Sequence, residues 1–150
     1  MSATDQAQVS AGDSLRFRGA EIIELKVHRD ERGDLFAIED GWNLQFPLRR
    51  FFCIRVGDGD VARAAHACSC HELVVALTGA VTVDLDNGSE CELVRLSADD
   101  RALWIQPGVW RRFRDFVPGT MLVAAASLPY SATRNWDSPQ PQLISPNGCK

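Results

Sequence analysis

One hundred and fifty residues, 45% of them hydrophobic, suit a single folded domain. A chain of this size buries roughly 70% of its unfolded surface and needs no disulfide or metal staple. A balance of 16 basic against 20 acidic side chains, net -4, excludes a general nucleic-acid binder, and no apolar run reaches the length of a membrane-spanning helix.

Residues 1–14 are small and polar and are expected to form a mobile tail. They carry no basic n-region and no apolar h-region, so no signal peptide and a cytoplasmic location are expected. Short β-type runs follow, divided by turn residues. Ala20 to Val27 reads as a strand, DERG as a turn, Asp34 to Glu39 as a strand and EDGWN as a loop. Leu48 to Val56 is a longer strand that ends in the turn GDGD. Leu73 to Leu77 and Ala80 to Leu85 flank Thr78-Gly79, and Asn87-Gly88 predicts a two-residue hairpin into Cys91 to Leu96. Ala102 to Gln106, Trp110 to Phe116 and Met121 to Ala126 complete the strands. Alternation is clearest in VTVDL, where Val81, Val83 and Leu85 share a face. The Pro-rich stretch 139–150 is expected to be loose, which leaves 15–138 as the folded domain. Short strands with frequent turns and no convincing helix predict an all-β sandwich or barrel. The five cysteines, an odd number, read as free thiols in a reducing compartment.

The chemistry-bearing residues concentrate in one stretch, His66-x-Cys68-x-x-x-Glu72 followed by Gly79. This spacing resembles the first motif of the cupins, with Cys68 where a second His stands. Residues two apart on a strand share a side, so His66 and Cys68 face the interior together. Glu72 opens the next strand, where it either orients His66 or is a solvated charge. His66, Cys68, Cys70 and His71 have the composition of a zinc cluster. However, His71 has the opposite parity, and Pro107-Gly108-Val109-Trp110 supplies no further His, so no metal is expected.

From Lys26 to Trp136 the chain resembles a narrower family, the cupin-fold sugar-nucleotide 3,4-ketoisomerases (FdtA/QdtA and WxcM-like proteins). The resemblance runs in order through Asp30-Glu31-Arg32-Gly33-Asp34-Leu35 with Ile38-Glu39, Phe46 to Ile54, Arg63-Ala64-Ala65-His66-Ala67, Glu72 to Gly79 with Asp84 to Gly88, Trp104 to Trp110 and Ala126 to Tyr130. The chain departs from the family's pattern at Ala64 (Gly), Cys53 (Tyr) and Cys68 (second His).

The resemblance implies a small jelly-roll β-barrel of about nine to eleven strands and a homodimer. It also implies an isomerase that moves the ketone between C4 and C3 of a dTDP-linked 4-keto-6-deoxyhexose through an enediolate, with no cofactor. That reaction needs a proton-transfer base, and a His suits it at neutral pH. His66 is the expected base, with Arg63 and Tyr130 as further catalytic residues. Arg50 shares the parity of Phe52 and Ile54 and is expected inside at the pyrophosphate or sugar, with Glu72, Trp110, Cys53 and Cys68 as further substrate contacts. Arg111, Arg112 and Arg114 read as a solvated face, and Asp30–Arg32 as a lock within a turn. Two other readings stand beside this one. A nucleotide-sugar 3,5-epimerase would need a His base partnered by an Asp, and a Tyr acid. The replacements at Cys53 and Cys68 also fit a non-catalytic nucleotide-sugar-binding cupin.

Overall fold

Strict alternation sets the first layer. In β8 (Ala80–Asp86) Val81, Val83 and Leu85 are buried while their neighbours are half-exposed, and Val94 and Leu96 of β9 (Cys91–Ser97) repeat the pattern. A second layer has a different texture. β7 (Glu72–Thr78), β10 (Arg101–Ile105) and β12 (Met121–Ala126) are each buried over five consecutive residues, the mark of strands covered on both faces. The computed structural model describes residues 8–9, 15–57, 61–98 and 101–146. Within them the remaining strands are β1 (Gln8–Val9), β2 (Ala20–Glu24), β3 (His28–Asp30), β4 (Gly33–Leu35), β5 (Arg50–Arg55), β6 (Arg63–Cys68), β11 (Trp110–Arg114) and β13 (Asn135–Trp136).

Two sheets result, a six-stranded one in the order β1-β9-β8-β11-β6-β13 and a five-stranded one in the order β2-β10-β7-β12-β5. They face each other across a core of Val81, Val83, Leu85, Val94, Leu96 and Phe113 from the first and Val74, Ala76, Leu103, Ile105, Leu122 and Ala124 from the second. This is the expected jelly-roll, a flattened barrel whose two sheets keep separate hydrogen-bond ladders. Leu73, Val75, Ala102, Trp104, Val123 and Ala125 point to the other side of the second sheet. There they pack under Leu44 and Phe46, with Phe36 and Ile38 alongside, so the β4–β5 connection roofs that sheet. No helix among the described residues is long and apolar enough to cross a membrane.

Several expectations are corrected. Asp34 to Glu39 is not one strand: Asp34 and Leu35 pair back onto β3 in an exposed hairpin, and the chain then turns to cover the second sheet. Asp30 locks that hairpin by accepting hydrogen bonds from the backbone and guanidinium of Arg32. The Asn87-Gly88 turn is longer than two residues, because Asp86 pairs with Cys91. Asn87 Oδ1 accepts the backbone N–H groups of Ser89 and Glu90 and holds the wider turn. The segment from Pro139 is packed as far as it is described: a 3-10 turn at Pro141–Leu143 sets Ile144, 4% exposed, into the core. Of GDGD only Gly57 is described, and apart from Gln8 and Val9 the tail 1–14 lies outside the described residues, as does Cys149.

The turn glycine between β7 and β8 behaves as its spacing predicts. Gly79 has φ +73°, and a Cβ there would meet Thr120 Oγ1 at 2.2 Å. A second left-handed site has no glycine. Opposite β11, Arg111 pairs with His66 but Arg112 pairs with Ala64, so Ala65 is an extra residue in β6. Ala64 (φ 68°) and Ala65 (φ 56°) make this bulge, each in a conformation that costs an L-residue about 1–2 kcal/mol. Ala64→Gly is expected to raise stability by about 1 kcal/mol after the entropic cost of glycine, a rise in Tm of a few degrees in a thermal melt. An unchanged or lower Tm would show that the bulge carries no strain.

Candidate active site

β6 is the strand on which the site is built. Past the bulge His66 and Cys68 share the inward face, as their spacing predicts, and both line a cavity of about 350 Å³. Arg50 and Phe52 line it from β5, Glu72 from β7, Tyr130 and Thr133 from a 3-10 turn and its exit, and Asn135 from β13. Parity explains the inward set: Arg50 shares the face of Phe52 and Ile54, and Glu72 that of Val74 and Ala76.

Behind Cys68 and Glu72 lies Arg111, the residue that composition misjudged. Its side chain is 0% exposed rather than solvated. Its Nη1 donates to a Glu72 carboxylate oxygen and, at 3.0 Å, to Cys68 Sγ, and its Nε donates to the Val109 carbonyl at 3.0 Å. In β11 only Arg111 and Phe113 turn inward, and the alternation of Phe113 with its neighbours is the signal that finds Arg111. Arg112 and Arg114 face outward, partly exposed, and share the Asp84 carboxylate. Glu72 is therefore a buried partner of Arg111 rather than a solvated charge.

Cys68 and Cys70 place their sulfurs 3.5 Å apart, both buried. The hydrogen bond from Cys70, aided by the Arg111 charge, pulls the Cys68 thiol down to about 6 against the opposing effect of burial, while Cys70 is pushed up and stays protonated. Burial, and then the Arg111 charge, hold the His66 pKa below the usual imidazole value, so His66 is neutral and ready to accept a proton. The two sulfurs and a Glu72 oxygen lie within 4.8 Å of one another, close enough to surround a cation. The charge among them is the Arg111 guanidinium, which donates to both Cys68 and Glu72.

Arg50 lines the cavity from β5, its Nη2 3.9 Å from Cys70 Sγ and its guanidinium 5.1 Å from the Phe52 ring centroid and 5.7 Å from that of Tyr130. Its Nε is buried with no acceptor among the described residues. Tyr130 is 78% exposed at the mouth.

The structure thus brings together His66, Cys68, Glu72, Arg50 and Tyr130. Three expected site residues lie elsewhere. Arg63 is exposed at the start of β6, on the far side of the bulge. Cys53 alternates with Arg50 and Phe52 and so faces outward, exposed. Trp110 sits on the outer face of β11 beneath the Arg112 guanidinium, 5.7 Å from its ring centroid, in a shallow groove with Asp84 and Asp86. His71 faces away from the cavity, as its parity predicts, stacked on Phe46 and accepting the Trp104 indole N–H at 3.2 Å.

Comparison with known proteins places this geometry. The family described as FdtA, WxcM-like, C-terminal matches residues 18–137. A TDP-4-oxo-6-deoxy-alpha-D-glucose-3,4-oxoisomerase of Aneurinibacillus thermoaerophilus is 31% identical over 114 residues, 75% of this chain and 82% of that protein. The crystal structure of QdtA, a sugar 3,4-ketoisomerase from Thermoanaerobacterium thermosaccharolyticum in complex with TDP, superposes with a TM-score of 0.72 at 28% identity, covering 77% of this chain and 87% of that one. The WlaRB TDP-quinovose 3,4-ketoisomerase of Campylobacter jejuni gives 0.71 at 30% identity, covering 75% and 88%. On this match, over every strand of both sheets except β1 and over the residues that line the cavity, the chain belongs to the WxcM-like FdtA family.

Proposed function

We propose that the protein is a sugar-nucleotide 3,4-ketoisomerase that moves the ketone of a dTDP-linked 4-keto-6-deoxyhexose from C4 to C3. The observation that carries this reading is a neutral imidazole at His66 inside a cavity lined by Arg50, with the buried Arg111 guanidinium held behind the lining residues Cys68 and Glu72. The substrate's own carbonyl is the electron sink. His66 takes the proton from C3, the C–H pair becomes the C3–C4 double bond, and O4 becomes an alkoxide. Return of a proton to C4 and collapse at O3 complete the shift. Arg50, whose buried Nε has no acceptor among the described residues, is placed to meet an anionic or enediolate oxygen. Tyr130 at the mouth supplies a hydroxyl to the bound sugar. The reading includes a cytoplasmic location and a homodimer, the latter supported by β2 and β5 as the edge strands of the five-stranded sheet among the described residues and by Phe51, 64% exposed on β5.

The test is incubation with dTDP-4-keto-6-deoxyglucose in D2O, followed by NMR, beside a thermal melt with TDP. A new 3-keto sugar with deuterium on carbon is expected, and TDP at a hundredfold excess over its Kd should stabilise the fold by about 2.7 kcal/mol. Stabilisation by TDP without exchange or product would replace the isomerase with a binding protein. Neither response would overturn the nucleotide-sugar reading.

A further inference from the structure

Moving a ketone from C4 to C3 relocates two protons. One leaves carbon at C3 and one arrives at C4, while the hydroxyl proton on O3 must end on O4. One imidazole that has just taken the carbon proton cannot hold the second as well. Among the titratable groups that line the cavity, Glu72 is committed to Arg111 and Tyr130 lies out at the mouth. Cys68 remains, on the same face of β6 as His66 and in contact with Arg111.

We infer that Cys68 is a second proton-transfer residue of the site, relaying the hydroxyl proton from O3 to O4 while His66 moves the carbon-bound proton. This rests on the ketoisomerase reading and deepens it.

Two neighbours fit Cys68 for the part. Arg111 Nη1 donates to its sulfur at 3.0 Å and the Cys70 thiol lies 3.5 Å from it, a cation and a donor for a thiolate that outweigh the Cys70 carbonyl at 3.5 Å and the Glu72 carboxylate within 4.8 Å. The low thiol pKa, about 6, agrees with that geometry. The step balances. After His66 removes the C3 proton, the Cys68 thiolate takes the proton of the O3 hydroxyl. The resulting thiol gives that proton to the O4 alkoxide and returns to thiolate. The imidazolium of His66 then protonates C4, the C3–C4 double bond supplies that electron pair, and the O3 alkoxide collapses to the new ketone. No oxidant, reductant or cofactor takes part. Arg111 and Cys70 are positioning residues, since they act through the Cys68 sulfur.

The experiment compares wild type, Cys68→Ala and Cys70→Ala with dTDP-4-keto-6-deoxyglucose in D2O. Deuterium at C3 of the starting sugar and formation of the 3-keto product are followed by NMR, and thermal melts with TDP report folding. Cys68→Ala is expected to wash deuterium into C3 within a few-fold of the wild-type rate but to form product about 10²-fold more slowly. Cys70→Ala is expected to stay active while the acid limb of its pH–rate profile moves upward, because the sulfur has lost a donor. Iodoacetamide should modify Cys68 in the wild type, with reactivity rising on the same limb, and TDP should slow it. Wild-type product formation by folded Cys68→Ala overturns the proposal. So does a Cys70→Ala profile and an alkylation limb that both stay at wild-type positions, which also decides the matter if Cys68→Ala does not fold. Absence of C3 exchange and product in the wild type itself is instead the failure of the ketoisomerase reading.

Discussion

Arg111→Met is expected to destabilise the fold by about 3–5 kcal/mol, lowering Tm by roughly 10 °C or more. Methionine can occupy much of the space of the arginine stem, so the cost is electrostatic. Glu72 would keep its carboxylate in the interior with no cation, and the Val109 carbonyl would lose a donor. Urea denaturation of the single variant and of Arg111→Met/Glu72→Leu separates this cause from simple loss of packing. Removing both charges is expected to recover most of the lost stability, because an apolar pair of similar volume can match a buried ion pair. A single variant as stable as wild type would mean that the pair is not closed in solution. A double variant as damaged as the single would assign the cost to packing instead.

His66→Asn is expected to lower the rate of C3 proton exchange by about 10²–10⁴-fold while the fold and TDP binding persist. Asparagine is close in size and retains hydrogen bonding but cannot accept a proton near neutral pH. Turnover per folded molecule near the wild-type level would show that His66 is a structural polar residue and that the base lies elsewhere. The pH profile adds a sign. Burial first, and Arg111 second, lower the His66 pKa, so the base form persists below pH ~6.5, and its acid limb lies on the acid side of an ordinary imidazole. The same shift costs stability in acid: below pH ~6.5 the unfolded chain binds a proton that the folded site resists. That contribution grows as pH falls toward the folded pKa, and His66→Asn should remove it.

Parity made much of the site legible. The alternation that buries Val81, Val83 and Leu85 is the same rule that turns Arg50, His66, Cys68 and Glu72 inward and His71 outward. Where parity was set aside the reading failed. Cys53 and Trp110 were carried over from motifs, though each is out of phase with an inward neighbour, Phe52 and Arg111 respectively. Arg111 itself was lost in a run of three arginines read by composition, although its parity with Phe113 places it inside. The bulge at Ala64 and Ala65 could not be counted from sequence, because an extra residue shows only against its partner strand. Nor could β13, a two-residue strand recruited by β6 from nearly seventy positions away, which brings Asn135 to the cavity.

The cavity's outer wall comes late in the chain. Tyr130, Thr133 and Asn135 follow every long strand of both sheets, and β13 adds to the free side of β6 at Ala67 and Cys68. During synthesis the sandwich can therefore assemble around an open trough that already contains His66, Cys68 and Glu72. The strand pairing that completes the wall beside Cys68 forms only once Asn135 and Trp136 are in place. Local opening of residues 130–136 would therefore uncover β6 at Ala67 and Cys68 while leaving the ladders between the longer strands intact.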